Sequence, residues 1–137
     1  MTSGEPFTWT QRSTSVWRTL GYRGIEAANG RVVIEWDAGD EYTFPDTPDT
    51  VVVHGGLVAT LLDTAMGGAC ATTLGEGEGF LTADLHVEFY RTTRPGTLRA
   101  EGRVVQRTRR VAFCAAELLD TEGVVLASAR CTQIVRS

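Results

Sequence analysis

His54-Gly55-Gly56-Leu57-Val58-Ala59-Thr60-Leu61-Leu62-Asp63-Thr64-Ala65-Met66-Gly67 combines a glycine-rich polar start, a run of helix formers and one carboxylate nine residues beyond the histidine. The run predicts a helix from Gly56 to about Thr73. At about 100° per residue, Leu57, Val58, Leu61, Leu62, Ala65 and Ala69 cover one broad apolar face. Asp63 falls roughly 140° from the centre of that face. Its helical neighbours Ala59, Gly67 and Cys70 are all small, which leaves room for a ligand or a close subunit contact. At the helix start, the glycines let backbone N–H groups come near a ligand, and those groups together with the helix dipole favour partial negative charge. An oxygen-polarising helix end with a carboxylate two turns further on points to chemistry on a carbonyl.

Most of the rest reads as strands. Residues 1–10 are polar and irregular, with Phe7 and Trp9 as surface anchors. Residues 11–20 read as a short helix, followed by a loop at Gly21 and Gly24. Arg31 to Asp37 is strand-like, with Val32, Val33, Ile34 and Trp36 supplying branched and aromatic residues. After a Gly39-Asp40 turn, Glu41 to Phe44 reads as a second arm, and Pro45, Asp46, Pro48 and Asp49 mark a loop. Beyond the helix, Leu81, Ala83, Leu85, Val87 and Phe89 alternate with Thr82, Asp84, His86, Glu88 and Tyr90. Strands about Leu98 to Val105, Val111 to Leu119 and Val124 to Val135 follow, separated by turns at Arg94-Pro95-Gly96 and Asp120 to Gly123. One early strand, one helix and four strands in hairpin succession define an α+β architecture. A single helix covers one face of the sheet, so the other face or an edge is expected to meet a second subunit.

Composition narrows the function. The 137 residues suit one domain with its own core, divided here into an N-terminal segment (1–30) and a core (31–135). A net charge of −4 argues against nucleic-acid binding, which normally needs a basic face. All 13 basic residues are arginine, so Schiff-base and P-loop lysine chemistry are excluded. Cys70, Cys114 and Cys131 have no CxxC spacing and suit packed free thiols in a reducing compartment. With two histidines and no HExxH or Cys/His cluster, no dedicated metal site is expected. No apolar run of membrane-spanning length and no signal-like N-terminus is seen, so the expected location is cytoplasmic, away from membranes.

The strand–helix–strands order, with a helix opening on His54-Gly55-Gly56 and carrying Asp63, resembles the hotdog-fold acyl-CoA thioesterases, in particular their phenylacetic-acid-degradation branch. The resemblance spans roughly Arg31 to Val135. It is most specific at His54 to Gly67 and at Leu81 to Tyr90, where Thr82-Ala83-Asp84-Leu85-His86 sits as the family's Ser/Thr-x-Asp-hydrophobic-Asn segment does. It implies a hotdog fold, one long helix wrapped by a curved antiparallel sheet. It further implies hydrolysis of an acyl-CoA or aryl-CoA thioester to free acid and CoA, in a homo-oligomer built as a dimer or a dimer of dimers (a homotetramer), with no cofactor.

Carried over residue by residue, the resemblance makes Asp63 the catalytic carboxylate, as nucleophile or as general base on water. The N–H of Gly55 or Gly56 would polarise the thioester carbonyl, His54 would shape the opening turn, and Thr82 would orient water from the partner subunit's strand. Arg91, Arg94, Arg109 and Arg110, with Arg107 near them, are candidates for the CoA phosphates, because guanidinium forks match phosphate geometry. The family often has Asn or Gln six residues before the His and Gly three before it; here these are Pro48 and Val51. Asp46 and Asp49 lie close to Pro48 but are acidic. Two alternatives stand beside hydrolysis: a non-catalytic acyl-CoA-binding sensor, and a hydratase or dehydratase on the same fold using His54 with an acid.

Overall fold

The computed structural model describes residues 15–137. Phe7, Trp9 and the first part of the helix expected over 11–20 lie outside the described residues. Helix α1 (Val16–Leu20) is capped by the Ser15 hydroxyl, which accepts from the Arg18 N–H at 3.2 Å, and it ends at Gly21 in the left-handed region (φ 76°). The loop expected at Gly21 and Gly24 is instead followed at once by a strand, β1 (Arg23–Ala28), which pairs with β2 (Arg31–Ala38). Strand β1 is exposed along most of its length, so it carries little apolar alternation to read. The signal lay in the turn: Asn29 and Gly30 both take positive φ (53° and 78°), as a two-residue hairpin turn requires.

Strand β2 buries Val32, Ile34 and Trp36, and the Trp36 indole donates to the Leu20 carbonyl at 2.8 Å. The segment expected as a loop after Phe44 is a second two-stranded unit, β3 (Thr43–Thr47) and β4 (Thr50–Val53), with Pro48 and Asp49 at its turn. It tolerates Pro45 because a two-stranded ribbon is all edge.

Helix α2 (Gly55–Ala71) is the long helix, and it lies across the main sheet with Val58, Leu61, Leu62, Ala65, Met66 and Ala69 fully buried. Strands β5 (Gly79–Phe89), β6 (Gly96–Arg107), β7 (Val111–Leu119) and β8 (Val125–Arg136) follow. The six-stranded antiparallel sheet has the order β1-β2-β6-β7-β8-β5. Hairpin succession therefore holds only for β6, β7 and β8. Strand β5 pairs with β8, while β6 crosses over to lie between β2 and β7, pairing with β2 over Gly96–Arg103 and with β7 over Arg99–Arg107. Close contact between helix and sheet is set by Gly102 on β6, where an added Cβ would lie 2.5 Å from the Ala65 carbonyl oxygen.

The strict alternation expected along β5 is broken by a bulge between Thr82 and Asp84. Phe80 and Thr82 oppose the buried Val135 and Gln133, whereas after the bulge Leu85 and Val87 oppose the buried Cys131 and Ala129. The extra residue thus puts Thr82 on the helix side together with Leu85, Val87 and Phe89, and turns Leu81 to the other face. Strand β5 is also a sheet edge, with Leu85 and Phe89 on the helix side still exposed. No helix among the described residues is long and apolar enough to cross a membrane.

Candidate active site

His54 is the N-cap of α2: its Nδ1 accepts from the Gly56 N–H at 2.9 Å, and its ring stands edge-on to Phe44 with centroids 5.9 Å apart. Its own N–H donates to the Tyr42 carbonyl, which ties the opening turn to the segment before β3. The Gly56 N–H is therefore engaged within the turn. Among the described residues nothing accepts from the Gly55 N–H, and Gly55 lines a cavity of about 500 Å³ together with Phe44, Val52, Phe89, Tyr90 and Arg91. Of the two glycines expected to polarise a carbonyl, the structure leaves Gly55 available.

Two turns along, Asp63 is half-buried and faces β5. The Thr82 hydroxyl donates to its Oδ1 at 2.9 Å, from within the same chain. The β5 bulge aims Thr82 at its own helix, so the residue expected to orient water from a partner subunit's strand is paired within its chain with Asp63. Behind Thr82 lies Gln133, fully buried, with Oε1 3.1 Å from the Thr82 hydroxyl and Nε2 3.2 Å from Cys131 Sγ. Sequence reading passed over Gln133. Its signal was an amide at an inward position of β8, flanked two residues either way by Cys131 and Val135.

The small neighbours of Asp63 have distinct uses. A Cβ on Gly67 would meet the Phe80 ring at 3.0 Å, so that glycine admits an aromatic from β5. Cys70 is buried, and burial pushes its thiol up to about 11. Cys114 and Cys131 face one another across β7 and β8, both buried and free. The hydrogen bond from Cys114 to Cys131, with burial, raises the Cys114 thiol far above its ordinary range. All three cysteines are packed thiols.

The candidate arginines do not converge. Arg91 lines the cavity at Gly55. Arg94 is a strut: its guanidinium donates to both Asp46 carboxylate oxygens at 3.1 Å and to the Val51 carbonyl at 2.8 Å. Asp46 is held below the usual carboxylate range, first by the Thr50 hydroxyl and then by Arg94. Arg109 and Arg110 lie with Arg136 and Glu78 around a separate hollow of about 510 Å³, near the C-terminal end of α2. Arg107 is engaged with Thr73 and Glu78. Among the described residues no three His, Cys, Asp or Glu side chains cluster as a metal-ion site would need.

Comparison with known proteins identifies the family. The Thioesterase superfamily model matches residues 51–127, from β4 through α2 into β8. A solved protein of the thioesterase superfamily is 32% identical, with 96% of this chain and 97% of that one covered at a TM-score of 0.84. A phenylacetic acid degradation-related protein from Ralstonia eutropha is 26% identical over 93% of this chain and 96% of its own, with a TM-score of 0.79. A thioesterase from Haemophilus influenzae shares the fold at 20% identity, TM-score 0.80, covering 91% of this chain and 85% of that one. With the family model, the 32% identical relative, and a helix that opens on a free amide and carries a hydroxyl-paired acid, the chain belongs to the thioesterase superfamily and is a hotdog-fold thioester hydrolase.

Proposed function

We propose that the protein hydrolyses an acyl-CoA or aryl-CoA thioester at a site shared between two copies of the chain, without a cofactor. The observation that carries the proposal is the Thr82–Asp63 pair on the open β5 side of α2. Thr82 occupies one carboxylate oxygen and leaves the other free to attack the carbonyl or to take a proton from water. The acyl group sits in the apolar cavity between Phe44 and Phe89, with its thioester carbonyl at the Gly55 N–H, where the helix dipole adds to the polarisation. Attack by Asp63 expels CoA as thiolate and leaves a mixed anhydride that water hydrolyses; attack by Asp63-activated water gives the free acid and CoA thiolate directly.

One chain does not complete this arrangement. Gly55 and Asp63 are eight residues apart on α2, about 12 Å along the axis. Reacting atoms must come within about 3–3.5 Å. The partner of a carbonyl held at Gly55 is therefore Asp63 of a second copy. Strand β5 supplies the means. Phe89 lies at the Gly55 level of the helix, and Thr82 at the Asp63 level. Antiparallel pairing of β5 with its copy about a two-fold centred near Leu85 and His86 sets Thr82 of one copy opposite Phe89 of the other. It also pairs the exposed edge and covers Leu85 and Phe89. Assembly of two such dimers gives a tetramer, and Arg91, which lines the cavity, is the candidate partner of a CoA phosphate.

Free-thiol release from a panel of aryl-, short- and medium-chain acyl-CoAs tests the proposal. Turnover that falls at least about 10²-fold in Asp63→Asn supports it and begins to name the acyl group. Binding of acyl-CoAs with no turnover on any member would favour the sensor instead.

A further inference from the structure

Thr82 has one hydroxyl proton and, as the side chains are oriented, two carboxyl- or amide-type oxygens within reach: Asp63 Oδ1 at 2.9 Å and Gln133 Oε1 at 3.1 Å. A single donor does not serve both. Meanwhile the Gln133 amide nitrogen faces Cys131 Sγ, a weak acceptor that carries a proton of its own to give. The oxygen and nitrogen of a buried amide are assigned from the network around them. Turning the Gln133 amide over removes the competition for the Thr82 proton. The amide N–H then donates to Thr82 Oγ1, the Thr82 proton goes to Asp63, and the Cys131 S–H donates to Gln133 Oε1. Cys114 lies opposite Cys131 in the sheet, and its own thiol donates to the Ala112 carbonyl at 3.9 Å.

We infer that Gln133 is a positioning residue for the thioesterase carboxylate: its buried amide donates to Thr82, so that the Thr82 hydroxyl is committed to Asp63 Oδ1 and the other carboxylate oxygen is held toward the substrate. Gln133 is 0% exposed and sits on β8, directly opposite Thr82 in the sheet register. Burying an amide is costly unless both of its ends are partnered, and here both are. An apolar residue at this place would leave the Thr82 hydroxyl free to rotate, and with it the carboxylate. The inference rests on the Asp63 reading above.

The test is a kinetic cycle on the full-length protein with whichever acyl-CoA it turns over. Gln133→Met keeps the length of the side chain and removes a buried amide, so the fold is retained; Gln133→Leu serves as the second variant, with melting temperature and oligomeric state checked for both. Gln133→Met is expected to lower kcat roughly tenfold with KM nearly unchanged, a smaller loss than the 10²-fold that gross misplacement of a reacting group causes. In a Thr82→Val background the same substitution should cost nothing further, because no hydroxyl remains to be oriented. In Thr82→Ser, which keeps the hydroxyl, the tenfold loss should return. An unchanged kcat in both Gln133 variants, or the same fold-loss with and without the Thr82 hydroxyl, would overturn the inference. Asp63→Asn in the same assay keeps the two readings apart: turnover surviving in Asp63→Asn removes the Asp63 reading itself, whereas loss there with full activity in Gln133→Met removes only the role of Gln133.

Discussion

Thr82 and Asp63 stand nineteen residues apart in the chain and 2.9 Å apart in space, joined by a hydrogen bond from the edge strand to the long helix. The bond exists because a bulge directly after Thr82 turns it to the helix side of β5. It fixes one of the two carboxylate oxygens, and its removal has a defined consequence. Thr82→Val should lower kcat about tenfold and leave KM within about twofold, since the hydroxyl orients the acid without holding substrate. Thr82→Ser should retain most of the activity. Steady-state kinetics on the best acyl-CoA checks both, and a Val variant as fast as wild type would leave the bond without a catalytic role.

A site shared between copies makes a complementation prediction. Gly55→Pro deletes the free N–H at the first helical position, where proline is well accommodated, and the His54 backbone (φ −56°, ψ 127°) already has the conformation that precedes a proline. Losing that donor should cost about 10²–10³-fold in kcat. Mixed with Asp63→Asn after unfolding and refolding together, half the pairs are hetero-dimers with one intact site each, so about a quarter of wild-type turnover should return. No recovery would mean that both residues act within one chain.

His54 is predicted to matter for stability more than for proton transfer. Its Nδ1 holds the Gly56 N–H, so His54→Ala should cost about 1 kcal/mol, the usual value of an N-cap, and His54→Asn should restore most of it. Chemical denaturation of the three proteins measures this directly.

Gly102→Ala should be among the most damaging of the small substitutions. Its Cβ would lie 2.5 Å from the Ala65 carbonyl oxygen, so helix and sheet must separate, at a cost of about 1–3 kcal/mol. Gly79→Ala, with nothing within 4 Å of its Cβ, serves as the control and should stay within about 0.5 kcal/mol of wild type.

Asp46 gives a pH dependence of known sign. The Thr50 hydroxyl and then Arg94 hold its carboxyl below the usual range in the folded protein. A depressed carboxylate contributes stability above its unfolded pKa, and that contribution is lost as pH falls through the folded value. Asp46→Asn should therefore melt below wild type at pH 7, and the difference should close as the pH drops well below about 3.9. Thermal melts across that range provide the check, and a constant offset at every pH would mean that the charge plays no part.

The long helix, its glycine opening and the position of its acid were legible because each is a local property. Periodicity over Gly55–Ala71 depends on neighbours three and four residues away, and the apolar face read from sequence is buried except for the half-buried Leu57, while Met66, Gly67, Gly68, Cys70 and Ala71 are buried beyond it. Strands β6, β7 and β8 were legible for the same reason, each alternating beside a clear turn. The β1–β2 hairpin carried its signal in Asn29-Gly30, while its exposed first strand carried almost none.

The sequence by itself determined the long helix, strands β2 and β5 to β8, the one carboxylate set in the helix and the family pattern at His54 to Gly67. Only the tertiary structure decided that β5 pairs with β8, that a bulge sends Thr82 to the helix side, and that Gln133 stands behind it from fifty-one residues away. It also decided that His54 takes up the Gly56 N–H and leaves Gly55 to the cavity. The physical reason is range. Side-chain periodicity is fixed within a few residues, but strand order, register and the partner of a buried amide are set by which distant segments jointly satisfy their backbone groups and close the core.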